Sequence, residues 1–324
     1  MDASSRIRAW RVVVMAAFFQ LFPGCGAQDW WLGSQEGVLL QGFDTVTTPG
    51  ESAALAVSLR GGALMSGLSD YTVIYALDGR RLGAAKTDAD GIAVIRHSFD
   101  APGLYALTAS LDSEELGSAE VPTCQIQAGV FRPDRRMIVV DLDKTLVADG
   151  FDVVLLGEAR PMPDARAVME ELARNYQILY LTHRPEYLAR RSRQWLTDNH
   201  MPPGPLLVSR TEEFLAGSEA FKTGTIEQLK KTFPSITAGV GDKISDILAY
   251  HANGLTAILI VQPDTLTPSQ RADLAEALDE LPPTAHVVDH WRQVSEILSG
   301  RANYPPSATQ ARLLEGAAQQ ETGP

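Results

Sequence analysis

Cysteine is nearly absent from this sequence: Cys25 and Cys124 are the only two in 324 residues. Two are too few for a disulfide framework and lack the spacing of a zinc site, so any bound metal has to use oxygen ligands. Basic residues are in deficit, with 28 Lys and Arg against 40 Asp and Glu and a formal charge of −12. That balance repels phosphate backbones and argues against nucleic acid as a main partner. Long apolar runs are lacking too; the stretch from Val12 to Phe22 falls short of a bilayer span, which excludes a polytopic membrane protein. What remains, 45% apolar and 21% charged side chains, is ordinary globular composition. It excludes wholesale disorder, and the length suits about two domains.

The amino terminus has the order of a secretory signal. Arg6, Arg8 and Arg11 precede the apolar run, and Pro23, Gly24, Cys25, Gly26 and Ala27 follow it. Small side chains at Cys25 and Ala27 suit cleavage before Gln28, so residues 1–27 are expected to be a signal peptide and the mature protein to be periplasmic or secreted. Lipid anchoring at Cys25 is the weaker alternative, because Phe22 and Pro23 make a poor lipobox. Cleavage leaves Cys124 without an intrachain disulfide partner, so stability is expected to come from packing.

Between residues 37 and 120, short β-rich runs (Val38 to Leu40, Ala54 to Leu59, Tyr71 to Leu77, Ile92 to Arg96, Tyr105 to Leu111) alternate with Pro49-Gly50, Asp78-Gly79, Asp90-Gly91 and Pro102-Gly103. The spacing predicts a small all-β sandwich. Its turn pattern resembles bacterial immunoglobulin-like repeats, and it holds no cluster of reactive side chains. A spacer or docking role is favoured over adhesion, with any protein partner unknown. Residues 121–134, with Pro122 and Pro133, read as a linker. From 135 to 300, short apolar strands (Met137 to Val140, Ile178 to Leu181, Leu206 to Val208, Ile236 to Val240, Ala257 to Val261, His286 to Val288) are separated by helical segments. This is the pattern of an α/β domain with a parallel sheet covered on both faces. Helices are expected at 164–174, 185–199, 225–231 and 245–252, and residues 301–324, rich in Ala, Gln, Gly and Pro, are expected to be disordered.

Chemistry gathers at the strand ends. Met137 to Val140 runs into Asp141-Leu142-Asp143-Lys144-Thr145, two acids where open parallel sheets bind ligands. Such a pair can supply a nucleophile and a proton donor and acceptor, although one motif does not assign the roles and Thr145 could simply cap a turn. The next strand ends at Thr182, a hydroxyl that can bond a phosphoryl oxygen or cap the following helix. Lys222 is expected at a helix start, where a cation and free amides could neutralise a phosphoryl group. Ile236 to Val240 delivers Gly241-Asp242-Lys243-Ile244-Ser245-Asp246; hard oxygens from Asp141 and Asp242 would suit Mg²⁺.

In order and content these segments resemble the haloacid dehalogenase (HAD) superfamily of aspartate-based phosphatases. The resemblance implies a HAD-like Rossmannoid sheet, with Asp141 as the nucleophile that forms an aspartyl-phosphate and Asp143 as general acid and base. It implies Mg²⁺ held by Asp141, the Asp143 carbonyl and Asp242, with Thr145 and Asp246 supporting and Thr182 and Lys222 binding the phosphoryl oxygens. The 36 residues between Thr145 and Thr182 and the 39 between Thr182 and Lys222 are consumed by the fold itself, so no large cap is expected. An open site suits a phosphate carried on a large body.

A closer resemblance lies in Tyr180-Leu181-Thr182-His183-Arg184, Trp195-Leu196, Pro203 to Ser209, Phe221-Lys222, Phe233-Pro234 and Gly241 to Tyr250. These look like the catalytic region of lipins, LNS2-like proteins and fungal-type phosphatidate phosphatases. That family uses Mg²⁺ to convert phosphatidate to diacylglycerol, which implies a lipid phosphate at a membrane surface as substrate. The alternatives are a non-lipid phosphomonoester and a non-catalytic phosphatidate-binding module. The family usually has a small residue where Lys144 stands. Arg184, Arg190, Arg191 and Arg193 form a basic cluster that could meet anionic lipid, or be a solvated helical face. His183 and His251 read as structural, and Trp195 as core.

Overall fold

The structure is a computed structural model that describes residues 38–61, 65–112, 121–149 and 159–321. The expected signal segment, including Cys25, and residues 150–158 of the stretch between Thr145 and Thr182 lie outside these. The described chain divides into two compact units, one of residues 38–42, 54–96 and 106–126, the other of residues 43–53, 97–105 and 127–321.

Among the described residues, nine strands precede the parallel sheet: β1 (Val38–Gly42), β2 (Thr45–Thr47), β3 (Ser52–Gly61), β4 (Ser66–Gly67), β5 (Thr72–Leu77), β6 (Arg80–Lys86), β7 (Ile92–Ser98), β8 (Gly103–Leu111) and β9 (Thr123–Val130). In the first unit β1 pairs antiparallel with β3, and β5 pairs antiparallel with β6 and β8. The alternation Leu55, Val57, Leu59 on β3, Val73 and Tyr75 on β5, and Leu107, Ala109, Leu111 on β8 is fully or almost fully buried, the period of two that makes one face of a sheet apolar. Asp78 and Gly79, both at positive φ (49° and 76°), form the two-residue turn from β5 to β6, the geometry that Asp-Gly supplies at least cost. This is the all-β region expected from the sequence. The expected linker, 121–134, is corrected: it contains β9, whose Ile126, Ala128 and Val130 are fully buried. In the second unit the end of β9 pairs in parallel with β2, Thr45 opposite Ala128.

The parallel sheet has six strands, β10 (Met137–Val140), β11 (Gln177–Pro185), β12 (Leu206–Ser209), β13 (Ile236–Gly241), β14 (Thr256–Ile260) and β15 (His286–Val288), in the order β12-β11-β10-β13-β14-β15. All four residues of β10 are buried. Ile138 and Val140 join a core with Val168, Met169, Trp195, Trp291 and Val294; Met137 and Val139 join the opposite core with Phe221, Ile226, Ile247, Tyr250 and Leu278. Alternation along one strand thus serves two helical layers, which is why the run reads as continuously apolar. The helices are α1 (Ala165–Leu172), α2 (Ala189–Asp198), α3 (Thr211–Ala216), α4 (Ser218–Thr232), α5 (Ile244–Ala252), α6 (Pro268–Ala277), α7 (Trp291–Leu298) and α8 (Pro306–Glu321). The expected disordered tail is therefore corrected as well: α8 occupies most of it, with Thr309 and Leu313 buried one helical turn apart. No helix among the described residues is long and apolar enough to cross a membrane.

From β10 the chain first moves outward to β11 and β12, then returns across to β13 on the other side. The order reverses between β10 and β13, and a ligand crevice opens outside the carboxyl ends of strands at such a point. Asp141 and Asp242 stand there.

Candidate active site

Asp141 is the first residue past β10, and its amide donates to the Val240 carbonyl at 3.0 Å, fixing it beside the end of β13. The next turn is tight: the amides of Thr145, Leu146 and Val147 all converge on the Leu142 carbonyl. Trp291, fully buried, donates its indole N–H to the Thr145 carbonyl at 2.8 Å and clamps the turn from below. Lys144 takes a left-handed conformation at its tip (φ 52°). A non-glycine residue there costs about 1–2 kcal/mol, and Lys144 is exposed. The variant Lys144→Gly is expected to gain a net ~0.5–1 kcal/mol after its greater chain entropy is subtracted, read as a raised midpoint in denaturant; a lowered midpoint would contradict it.

On the β13 side, Asp242 leads into α5, and Asp246 comes back from the first turn of that helix. One carboxylate oxygen from each of Asp141, Asp242 and Asp246 lies within 4.8 Å of the others. Gly241 permits this approach, since a Cβ at its position would come within 2.7 Å of Asp246 Oδ2. Lys222 enters from α4 and is 1% exposed, its Nζ 2.8 Å from Asp246 Oδ1 and 3.2 Å from Asp141 Oδ2. The expectation of a helix start at Lys222 is corrected. It lies inside α4, which begins at Ser218, so it acts through its side-chain charge and not through free amides. Thr182 is buried on β11 near its carboxyl end.

Crowding these charges shifts their protonation. Burial first, then the Asp141 and Asp246 charges, push the Asp242 carboxyl up to about 8, with Lys243 and Lys222 opposing. Burial also pushes Asp141 up, to about 6, against the pull of Lys222. For Lys222, burial alone would lower the pKa, but the flanking Asp141 and Asp246 carboxylates overcome it and the net shift is upward. Asp242 Oδ1 and both Asp246 carboxylate oxygens are buried with no hydrogen bond, the Lys222 ion pair apart. An all-oxygen donor set with orphaned lone pairs, and more acids than cations, fits a hard divalent cation such as Mg²⁺.

Asp143 faces a different partner. Arg184 meets it with both arms of the guanidinium, Nε to Oδ2 at 2.9 Å and Nη2 to Oδ1 at 2.5 Å. The sequence reading of the arginine cluster is corrected here. Arg184 is buried against Asp143, and Arg193 pairs at 2.7 Å with Asp44, whose side chain is fully buried. Asp44 also accepts the amides of Gln127 and Leu206. Among the described residues, Arg190 and Arg191 of the four stay outside such pairs, the first exposed and the second half-buried. The signal for Arg184 was its place two residues after Thr182 near the carboxyl end of one strand. Trp195 is core, its indole donating to the Ala159 carbonyl, and His183 stacks on Phe214 with ring centroids 4.9 Å apart. Cys124 forms no disulfide among the described residues.

Residues 138–261 match the family model described as the LNS2 domain of PITM 1-3. The match spans the strand ends just described. It supports the lipin/LNS2-like resemblance seen in the motifs and, at a coarse level, a HAD-like phosphatase that takes a phosphate ester. No curated protein matches the chain. Among solved structures, a CARDB domain from Pyrococcus furiosus is 16% identical and covers 29% of this chain and 90% of its own, with a TM-score of 0.22. Fibronectin(III)-like modules of CbhA from Clostridium thermocellum are 9% identical and cover 28% and 95%, at 0.21. The Pnkp1/Rnl/Hen1 RNA repair complex is 14% identical and covers 37% and 40%, at 0.33.

Proposed function

We propose that this protein is a Mg²⁺-dependent phosphomonoesterase that works through a phosphorylated Asp141, with phosphatidate or a similar lipid phosphate as substrate. The observation that carries it is the convergence of Asp141, Asp242, Asp246 and Lys222 at the point where the strand order reverses. An Asp141 oxygen attacks phosphorus as the ester P–O bond breaks, and Asp143 gives a proton to the departing alkoxide. Water then attacks the phosphorus of the acyl phosphate, its proton passes to Asp143, and inorganic phosphate leaves with Asp141 restored. Lys222 and the Thr182 hydroxyl stabilise the phosphoryl oxygens as charge spreads over them. A divalent cation held by Asp141, Asp242 and Asp246 would supply further charge neutralisation.

The lipid substrate is supported by the LNS2 match and by the lack of a folded insertion among the described residues between Thr145 and Lys222, where α1, β11, a 3-10 turn at Glu186–Leu188, α2, β12, α3 and the start of α4 follow one another. A site that carries no lid among the described residues suits a phosphate presented on a membrane. The amino-terminal segment, basic then apolar then small, supports a reaction outside the cytoplasm.

The test is phosphate release from the purified protein, with phosphatidate in mixed micelles beside a panel of soluble monoesters. Release is expected to require Mg²⁺, to stop in EDTA, to favour the lipid, and to fall about 1000-fold or more in Asp141→Asn. Preference for a soluble ester would defeat the lipid assignment. Retained activity in Asp141→Asn would remove the nucleophile. Binding of phosphatidate without turnover would make the protein a lipid-binding module.

A further inference from the structure

We infer that Arg184 is a positioning residue for Asp143, an inference that rests on the phosphatase reading above. Arg184 is not one of the residues the HAD motifs assign, and its side chain is 2% exposed. All three guanidinium nitrogens are used. Nε and Nη2 hold the two oxygens of Asp143, and Nη1 donates to Ser192 Oγ at 2.8 Å. Ser192 is itself fully buried and donates to the Leu188 carbonyl. The backbone that carries Arg184 is fixed as well, because Ser209 Oγ lies 3.2 Å from the His183 carbonyl and 3.1 Å from that of Arg184.

Asp143 needs such a frame. It sits in the turn after β10 beside the left-handed Lys144 and keeps 23% of its side chain exposed. A carboxyl on a turn can swing about its side-chain bonds, and a displacement near 1 Å can cost about 100-fold in rate. A planar fork that grips both oxygens removes that freedom, and its third contact to Ser192 keeps the fork from turning with its partner. A lysine offers one point charge and could not do this. The exposed part of Asp143 stays open to the leaving group. In the first step Asp143, having taken up a proton from water on its exposed edge while Arg184 keeps hold of both oxygens, gives that proton to the ester oxygen as the bond to phosphorus breaks and the Asp141 oxygen bonds to phosphorus. In the second, Asp143 takes the proton from the attacking water. Both steps require its oxygens in one place.

The experiment compares kcat/KM, which reports steps through ester cleavage, for an alkyl phosphate and for 4-nitrophenyl phosphate. An alkoxide needs the Asp143 proton to leave; nitrophenolate does not. Arg184→Gln is expected to lower kcat/KM about 100-fold on the alkyl ester and less than about 10-fold on the nitrophenyl ester. Arg184→Lys is expected to stay near the glutamine variant. Added to Asp143→Asn, Arg184→Gln should cost less than about 2-fold more on the alkyl ester, because the two act as a unit. Ser192→Ala, which leaves the ion pair in place, should show the same ester dependence at a smaller scale and covers the case in which Arg184→Gln does not fold. Equal losses on both esters, or multiplicative losses with Asp143→Asn, would overturn the inference and make the pair purely structural. Failure of the unsubstituted protein to hydrolyse either ester would instead overturn the phosphatase reading, and this inference with it.

Discussion

Replacing Lys222 with methionine is expected to destabilise the metal-free α/β unit by about 3–5 kcal/mol and to abolish phosphate release. Lys222 is the buried cation between Asp141 and Asp246, 3.2 Å and 2.8 Å away. Breaking a buried ion pair from one side costs that much because the remaining charges stay desolvated and unpaired. Here the remainder is three carboxyl groups with an oxygen each inside 4.8 Å. The sign with pH follows from the direction of the Lys222 shift. Its pKa is raised in the fold, so its stabilising contribution is fully present below the ordinary lysine value and is lost only as pH rises through the raised one. The penalty of the methionine variant should therefore be complete at pH 7. It should shrink toward pH 5, where the acids left behind take up protons, and shrink again when Mg²⁺ replaces the lost charge. Urea denaturation in EDTA at the two pH values, and again with Mg²⁺, measures all three. A variant as stable as the parent at pH 7 in EDTA would mean that the buried triad is not held by Lys222.

What the sequence discloses of this site is what lies at strand ends. Four apolar residues followed by Asp-Leu-Asp, and the run Ile236 to Val240 followed by Gly-Asp, announce both the strand and the direction in which its polar groups leave the sheet. Long-range pairing is what it hides. Arg184 and Asp143 are 41 residues apart, and the arginines around them look like one basic patch until the fold pairs two of them with separate acids. Strand β9 was masked by Pro122 and Pro133 at its flanks and by its glutamines, although Ile126, Ala128 and Val130 already alternate. The edge strand β6 was masked by Arg80 and Arg81 and by the lack of any fully buried residue. The helix expected over 225–231 starts just past Gly224, a weak helix former, whereas α4 runs through that glycine from Ser218, so Lys222 lies inside the helix and away from its free amides. In α8, alanine and glutamine gave the composition of a tail while also having high helix propensity; Leu313 settled the competition by packing into the core.

The second large effect has opposite signs on stability and activity. Asp242→Asn should reduce phosphate release by about 100-fold or more, since it takes one anionic ligand from the cation site and weakens charge neutralisation at phosphorus. The same change should stabilise the metal-free protein at alkaline pH. Asp242 is pushed up to about 8 in the fold, by burial first and then by Asp141 and Asp246, against an ordinary value of 3.8. The folded state thus holds a proton that the unfolded chain has released between about pH 4 and 8. Stability falls as pH rises through that window, and above it the fold carries an ionised Asp242 beside its acidic neighbours. Asparagine resembles the protonated form at every pH, so the variant should lose this slope, and its melting temperature should exceed that of the parent by several degrees at pH 8.5 in EDTA. Magnesium should reverse the order, because it binds the aspartate and stabilises the parent by mass action while the variant has a poorer site. Melting curves at pH 6 and pH 8.5, with EDTA and with Mg²⁺, separate these expectations. A variant less stable than the parent in EDTA at pH 8.5 would show that Asp242 is held by contacts other than a place kept for a cation.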